Sequence, residues 1–181
     1  MTPTVVTYTI DASDVLTDVG GAWDRSALAG NAPALLTTAV GRPLWDFISD
    51  DTTRQIYREL LTRVRLGREV EFPYRCDDPT ARREMVMRMR SLELGHVRFE
   101  STLVAESPFS RPAADTPRLP ASRLTRICSW CKRVALGDGW LELDVAIERL
   151  ALFDAAPHSP ISHAMCPSCE ADMNRHLIAL L

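Results

Sequence analysis

Two C-x-x-C pairs, Cys128-Ser129-Trp130-Cys131 and Cys166-Pro167-Ser168-Cys169, constrain the C-terminal third of this chain more than any other feature. Thiolates three positions apart can grip one ion from a single tight turn, and two such turns complete an all-sulfur tetrahedral shell of the kind structural zinc favours. Four of the five cysteines lie in these pairs, whereas cysteines serving only as small apolar filler would be scattered through the chain. The pattern predicts Zn2+ held by Cys128, Cys131, Cys166 and Cys169. Iron or an iron–sulfur cluster uses the same four-cysteine set and stays open as the alternative, as does a redox-active thiol pair. His163, three residues before Cys166, could replace a cysteine or donate to a thiolate from outside the shell; a capping or surface histidine is the plainer reading.

The rest of the composition is that of an ordinary globular protein: 181 residues, 46% hydrophobic and 25% charged, enough for a core of its own. A formal net charge of -3 argues against a surface that binds phosphate backbones on charge alone, so no nucleic acid partner is expected. Lys132 is the only lysine. The first ten residues carry neither a basic flank nor a signal-length apolar run, and nowhere do about 20 apolar residues follow one another, so no membrane is expected and a cytoplasmic location is. In a reducing compartment paired C-x-x-C motifs hold metal more readily than they form disulfides.

From the N-terminus, Val6, Tyr8 and Ile10 alternate with Thr7 and Thr9, the period of a half-buried strand. Asp11 to Asp14 is turn chemistry, and Val15 to Val19 is expected to pair back as a hairpin. Residues 22–33 read as abbreviated helical turns around Trp23 and Leu28, and Pro43 starts a further turn carrying Trp45 and Phe47. A long helix opens at Asp50 or Asp51, whose carboxylate caps its first turn. Its apolar stripe is Ile56, Leu60 and Val64, with Tyr57 and Leu61 beside them, and Gly67 stops it. Arg54, Arg58, Arg63 and Arg65 fall mainly off the stripe, on what reads as a solvated face. The period then changes to two. Val70, Phe72, Tyr74 and Cys76 share one face, which would leave Cys76 a buried, inert thiol. Met85, Met87 and Met89 face away from Arg88 and Arg90 across the turn at residues 77–80, and Val97, Phe99, Ser101, Leu103 and Ala105 follow a tight Gly95-His96 hairpin.

This order of two strands, short helices, one long helix and a three-stranded meander, with Gly41-Arg42-Pro43-Leu44-Trp45-Asp46-Phe47-Ile48 leading into the long helix, resembles a PAS domain over about residues 5–107. The resemblance implies an α+β fold whose five-stranded antiparallel sheet has helices on one side, and which holds a small ligand or offers a sheet face to a partner. Trp45, Phe47, Tyr57, Phe72 and Tyr74 are the candidate pocket residues. The flavin signature of the family is missing, since Gly30-Asn31-Ala32-Pro33 carries no cysteine. Homodimerisation is a further expectation from the resemblance.

Four prolines between residues 108 and 120 mark an extended spacer, giving a division into a PAS-like domain (1–107), a linker (108–122) and a four-cysteine module (123–181). A short helix from Ala121 would couple the parts. Gly137-Asp138-Gly139 is a turn, and Val145, Ile147, Leu150, Ala151 and Phe153 mark an amphipathic helix of about three turns before Pro157. Pro167 opens a terminal helix with the stripe Met173, Leu177, Ile178 and Leu181. A knuckle followed far downstream by a C-x-x-C at a helix start resembles a treble-clef zinc finger, although Lys132 and Glu170 stand where zinc ribbons and rubredoxin-like sites place glycine. The residues Cys128, Ser129, Cys131, Lys132, Arg133, Trp140, Ser162, His163, Cys166, Pro167 and Cys169 also resemble a Cys-Ser-x-Cys-Lys … Ser-His-x-x-Cys-Pro-x-Cys segment found at the ends of bacterial PAS and response-regulator proteins.

Together these features lead to an expected function: a non-enzymatic bacterial signalling protein, sensing a small molecule or docking a signalling partner and carrying a structural zinc module. A redox or iron sensor is the second reading. A zinc hydrolase or deaminase fits poorly, because four thiolates leave no coordination position for water and His163-Ala164-Met165 lacks the glutamate of the deaminase pattern.

Overall fold

A computed structural model describes residues 4–23, 38–77, 80–109, 124–150 and 160–181. The expected turns around Leu28, most of the proline-rich spacer with Ala121, and Ala151, Phe153 and Pro157 lie outside the described residues.

β1 (Val5–Ile10) and β2 (Leu16–Gly21) form the N-terminal hairpin, and β3 (Val70–Arg75), β4 (Ala81–Ser91) and β5 (Val97–Pro108) the meander. All five join in one antiparallel sheet of order β2-β1-β5-β4-β3. The first strand thus sits between its own hairpin partner and the last, where Tyr8 stacks on Phe99 with ring centroids 4.4 Å apart. Gly21 is required at the hairpin's end. Its φ is +67°, and a Cβ there would lie 2.2 Å from the Val5 carbonyl oxygen.

The long helix, α1 (Asp51–Arg65), begins where the sequence suggests. Asp50 is the N-cap, and its carboxylate accepts from the backbone N–H groups of Thr52 and Thr53, both at 3.2 Å. Gly67 at φ +90° ends it. Ile56, Leu60, Leu61 and Val64 are buried against the sheet, with Val70, Phe72, Met87, Met89, Val97 and Phe99 completing the core from the strands. Arg58 is exposed as expected, whereas Arg54 and Arg65 depart from the solvated face. Arg54 donates to the carbonyls of Trp45 and Ile48, and Arg65 reaches the Gly95 and Asp11 carbonyls and the Asp14 carboxylate. Both guanidiniums close loops whose carbonyls have no strand partner.

Cys76 is exposed, not buried. β3 ends at Arg75, and it is the Arg75 side chain that is buried, against Asp77 and Glu142.

The C-terminal region builds a second, four-stranded sheet, order β8-β7-β6-β9, from β6 (Thr125–Cys128), β7 (Val134–Leu136), β8 (Gly139–Leu141) and β9 (Ile161–Ala164). Thr125 to Cys128 is therefore strand and not the end of a coupling helix. α2 (Leu143–Arg149) is shorter than expected. It buries Leu143 and Ala146, with the expected Leu150 just past its end, while Val145 and Ile147 of the expected stripe are half-buried. In α3 (Pro167–Ala179) Met173 and Leu177 are buried, but Ile178 and Leu181 are 67% and 82% exposed. α3 packs one face on α1.

Candidate metal centre

Parallel pairing brings the two knuckles together. β6 and β9 run side by side in the register Thr125↔Ile161, Arg126↔Ser162, Ile127↔His163 and Cys128↔Ala164. Such neighbours need a long crossover, here β7, β8, α2 and the chain up to Pro160, which is why the cysteine pairs are far apart in sequence. Both strands end at the same edge. Cys128 closes β6, and Cys166 follows two residues after the end of β9 as the N-cap of α3. The Ser129 N–H donates to the Ala164 carbonyl at 2.8 Å, and the Cys166 N–H points at the Cys128 sulfur at 3.4 Å.

The sulfurs of Cys128, Cys131, Cys166 and Cys169 all lie within 4.8 Å of one another, with Cys131 and Cys166 at 3.7 Å. None is in a disulfide. Metal–sulfur bonds of about 2.3 Å in a tetrahedron put neighbouring sulfurs about 3.8 Å apart, so closing the shell needs movements of about 1 Å at most. Cys128 and Cys166 are buried, and Cys131 and Cys169 half-buried. The four cysteines could hold one ion, and the donor set is all sulfur.

Protonation of the cluster is uneven. Cys128 accepts S–H bonds from Cys131 and Cys169 as well as backbone N–H groups, which lowers its pKa far below that of an ordinary thiol against the opposing effect of burial. Holding protons for Cys128 pushes Cys131 up to about 11 and raises Cys169 further. One thiolate shared among protonated neighbours is the arrangement a cation would replace by taking the protons' place.

The first knuckle is built into the five-stranded sheet. Pro73 lies in β3, the edge strand, where a residue without an N–H is tolerated. Its carbonyl accepts from the Trp130 indole N–H at 3.0 Å, and the Arg75 N–H donates to the Trp130 carbonyl at 2.8 Å. The knuckle thereby covers a strand edge that would otherwise be open. The Trp130 ring sits 4.8 Å from Phe72 and 5.9 Å from Tyr57, and the Ser129 hydroxyl reaches the Asp50 cap of α1 at 3.2 Å. On the outside, Glu142 accepts from Arg75 and, at 2.7 Å, from Arg133. Core packing runs without a break from the sheet through α1 to Cys128, Trp130, Cys166 and Met173.

Of the candidate pocket residues, Phe47, Tyr57 and Tyr74 line an inner cavity of about 320 Å³ between α1 and the sheet. Burial pushes the Tyr74 phenol up to about 12 and raises Tyr8 and Tyr57 as well, so all three tyrosines are protonated at neutral pH. Phe47, Tyr57 and Tyr74, with Phe72, Trp130, Lys132 and His163, border a second cleft beside the knuckle. Trp45 lines neither; its indole N–H bonds Asp14, and Arg58 lies over its ring. His163 is exposed on β9 at this cleft, outside the sulfur cluster. Trp130 and Arg75 are the structural residues that sequence reasoning passed over. Trp130 could have been suspected as a large aromatic between two ligands, whereas no pattern marks Arg75.

No family model matches the chain, and no curated protein matches it. No helix among the described residues is long and apolar enough to cross a membrane.

Proposed function

We propose that this chain is a non-enzymatic signalling protein of the PAS type, in which a sheet domain that receives a small ligand or a partner is joined to a treble-clef-like module folded around Zn2+. The observation that carries the reading is the convergence of four cysteine sulfurs, from two knuckles far apart in sequence, beside a strand edge of the sheet domain. Support for the sensory half comes from the five-stranded antiparallel sheet with α1 against one face and a cavity between them. Zinc is the ion best suited to four thiolates with no vacant position, and its binding energy would fix a module with little core of its own.

Elemental analysis and an absorption spectrum of anaerobically purified protein test the metal. One zinc per chain and no visible absorption is expected; visible absorption that bleaches in air would move the assignment to iron. Hydrogen exchange tests the architecture. Cys128→Ser or Cys166→Ser should deprotect residues 124–181 far more than the sheet, and unchanged exchange there would refute a folding role for the metal.

A further inference from the structure

We propose that the inner cavity between α1 and the five-stranded sheet binds a small uncharged molecule, mostly apolar, through one carbonyl oxygen that accepts from the Tyr8 and Tyr57 phenols.

At about 30 Å³ per non-hydrogen atom, the share of a molecule in liquid water, the cavity's volume of about 320 Å³ holds about eleven such atoms. Most of its wall is apolar: Val6, Leu16, Leu44, Ile48, Met85 and Met87 bring no N–H or O–H side-chain group. Among the described residues no Asp, Glu, Lys, Arg or His lines it. A carboxylate or an ammonium would lose its water there and meet no opposite charge, so the cavity suits an uncharged occupant.

The polar part of the wall is hydroxyl. Tyr8, Tyr57, Tyr74 and Ser101 all line the cavity. Tyr74 and Ser101 bond each other at 2.5 Å, whereas among the described residues neither the Tyr8 nor the Tyr57 hydroxyl has a hydrogen-bond partner. Burial raises the pKa of both phenols, and Tyr57 lies close enough to raise that of Tyr8 further, so each presents an O–H donor at neutral pH. Two such donors in an apolar wall are matched by a carbonyl oxygen, whose two lone pairs accept from both. The rings are held in place without a ligand. Tyr8 stacks on Phe99 at 4.4 Å, and Tyr57 meets Phe72 and Trp130 at 6.3 and 5.9 Å. Little side-chain ordering is therefore left to binding.

The inference rests on the sensory half of the proposed function, for which it names the class of ligand, and not on the identity of the metal. On full-length protein shown to carry its metal, the bicyclic ketone α-tetralone should bind saturably and change tryptophan fluorescence, since Trp23 lines the cavity. Tetralin carboxylate, the same rings with a charge, should bind at least about tenfold more weakly. Tyr8→Phe and Tyr57→Phe remove one hydroxyl each and keep the ring. Each should weaken α-tetralone by about threefold to tenfold, and tetralin, which has no oxygen, by less than about twofold. Tyr8 lines the inner cavity and not the cleft beside the knuckle, so its variant also places the ketone. Equal or tighter binding of the carboxylate, ketone binding that either variant leaves unchanged, or equal losses for ketone and tetralin would overturn the ligand class and leave a ligand-binding sheet domain standing. Metal-loaded protein that binds neither α-tetralone nor tetralin would overturn the inference and, with it, the cavity's part in the sensory reading.

Discussion

The indole N–H of Trp130 donates to the carbonyl of Pro73 at 3.0 Å, joining a residue that stands between two candidate metal ligands to the edge strand of the sheet. The bond and the Phe72 contact make Trp130 a peg between the two halves of the molecule. Trp130→Ala should lower the stability of the whole chain by about 3–5 kcal/mol. Trp130→Phe, which keeps a ring but orphans the Pro73 carbonyl, should cost about 1–2 kcal/mol. Urea denaturation followed by circular dichroism checks both, and two transitions with only the weaker one shifted would mean that the halves do not share a core.

Arg75 and Asp77 form an ion pair whose side chains are only 9% and 0% exposed. Removing one partner of such a pair strands the other charge away from water, and Arg75→Met should destabilise by about 3–5 kcal/mol. Arg88, paired with Glu71 on the open face of the sheet with both side chains about half exposed, serves as the comparison. Arg88→Met should leave the denaturation midpoint where it was.

Asp50 caps α1 and holds Ser129 of the knuckle. Asp50→Ala should cost about 1–2 kcal/mol, and Asp50→Asn less, since the amide oxygen still caps. A double-mutant cycle with Ser129→Ala should return a coupling of about 0.5 kcal/mol or more. Strict additivity would show that helix cap and knuckle are energetically independent.

Metal affinity should depend on pH with a definite sign. The protons that Cys131 and Cys169 retain, the first with a pKa of about 11, must leave when an ion binds. Raising the pH removes that competition, so apparent affinity should climb about tenfold per pH unit for each proton displaced. Competition with a chelator between about pH 6 and 8 measures the slope; a flat profile would indicate that the thiols are not the ligands.

Much of this was legible in the sequence where local chemistry decides the outcome. The Asp50 cap, the Gly67 stop, the Ile56-Leu60-Val64 stripe and the period-two methionines all lie where the pattern puts them, because each depends on neighbours within about one turn or one strand. The four clustered cysteines were legible for the same reason, as two short motifs. What escaped depends on contacts distant in the chain. β6 and β9 are four residues each and alternate weakly, and they are strands because they pair with each other in parallel. Arg75 is buried because Asp77 and Glu142 meet it, and Ile178 is exposed while α3 packs its other face on α1. Leu143 and Ala146, missed from the stripe of α2, have the same origin: they pack on Val134 of β7, which the sequence did not reveal as a strand.

X-ray absorption at the metal edge of the purified full-length protein tests the central claim most directly. The account predicts a zinc edge with four sulfur scatterers at about 2.3 Å and no nitrogen or oxygen in the shell. A shell with fewer than four sulfurs, or a folded protein carrying no metal, would contradict it.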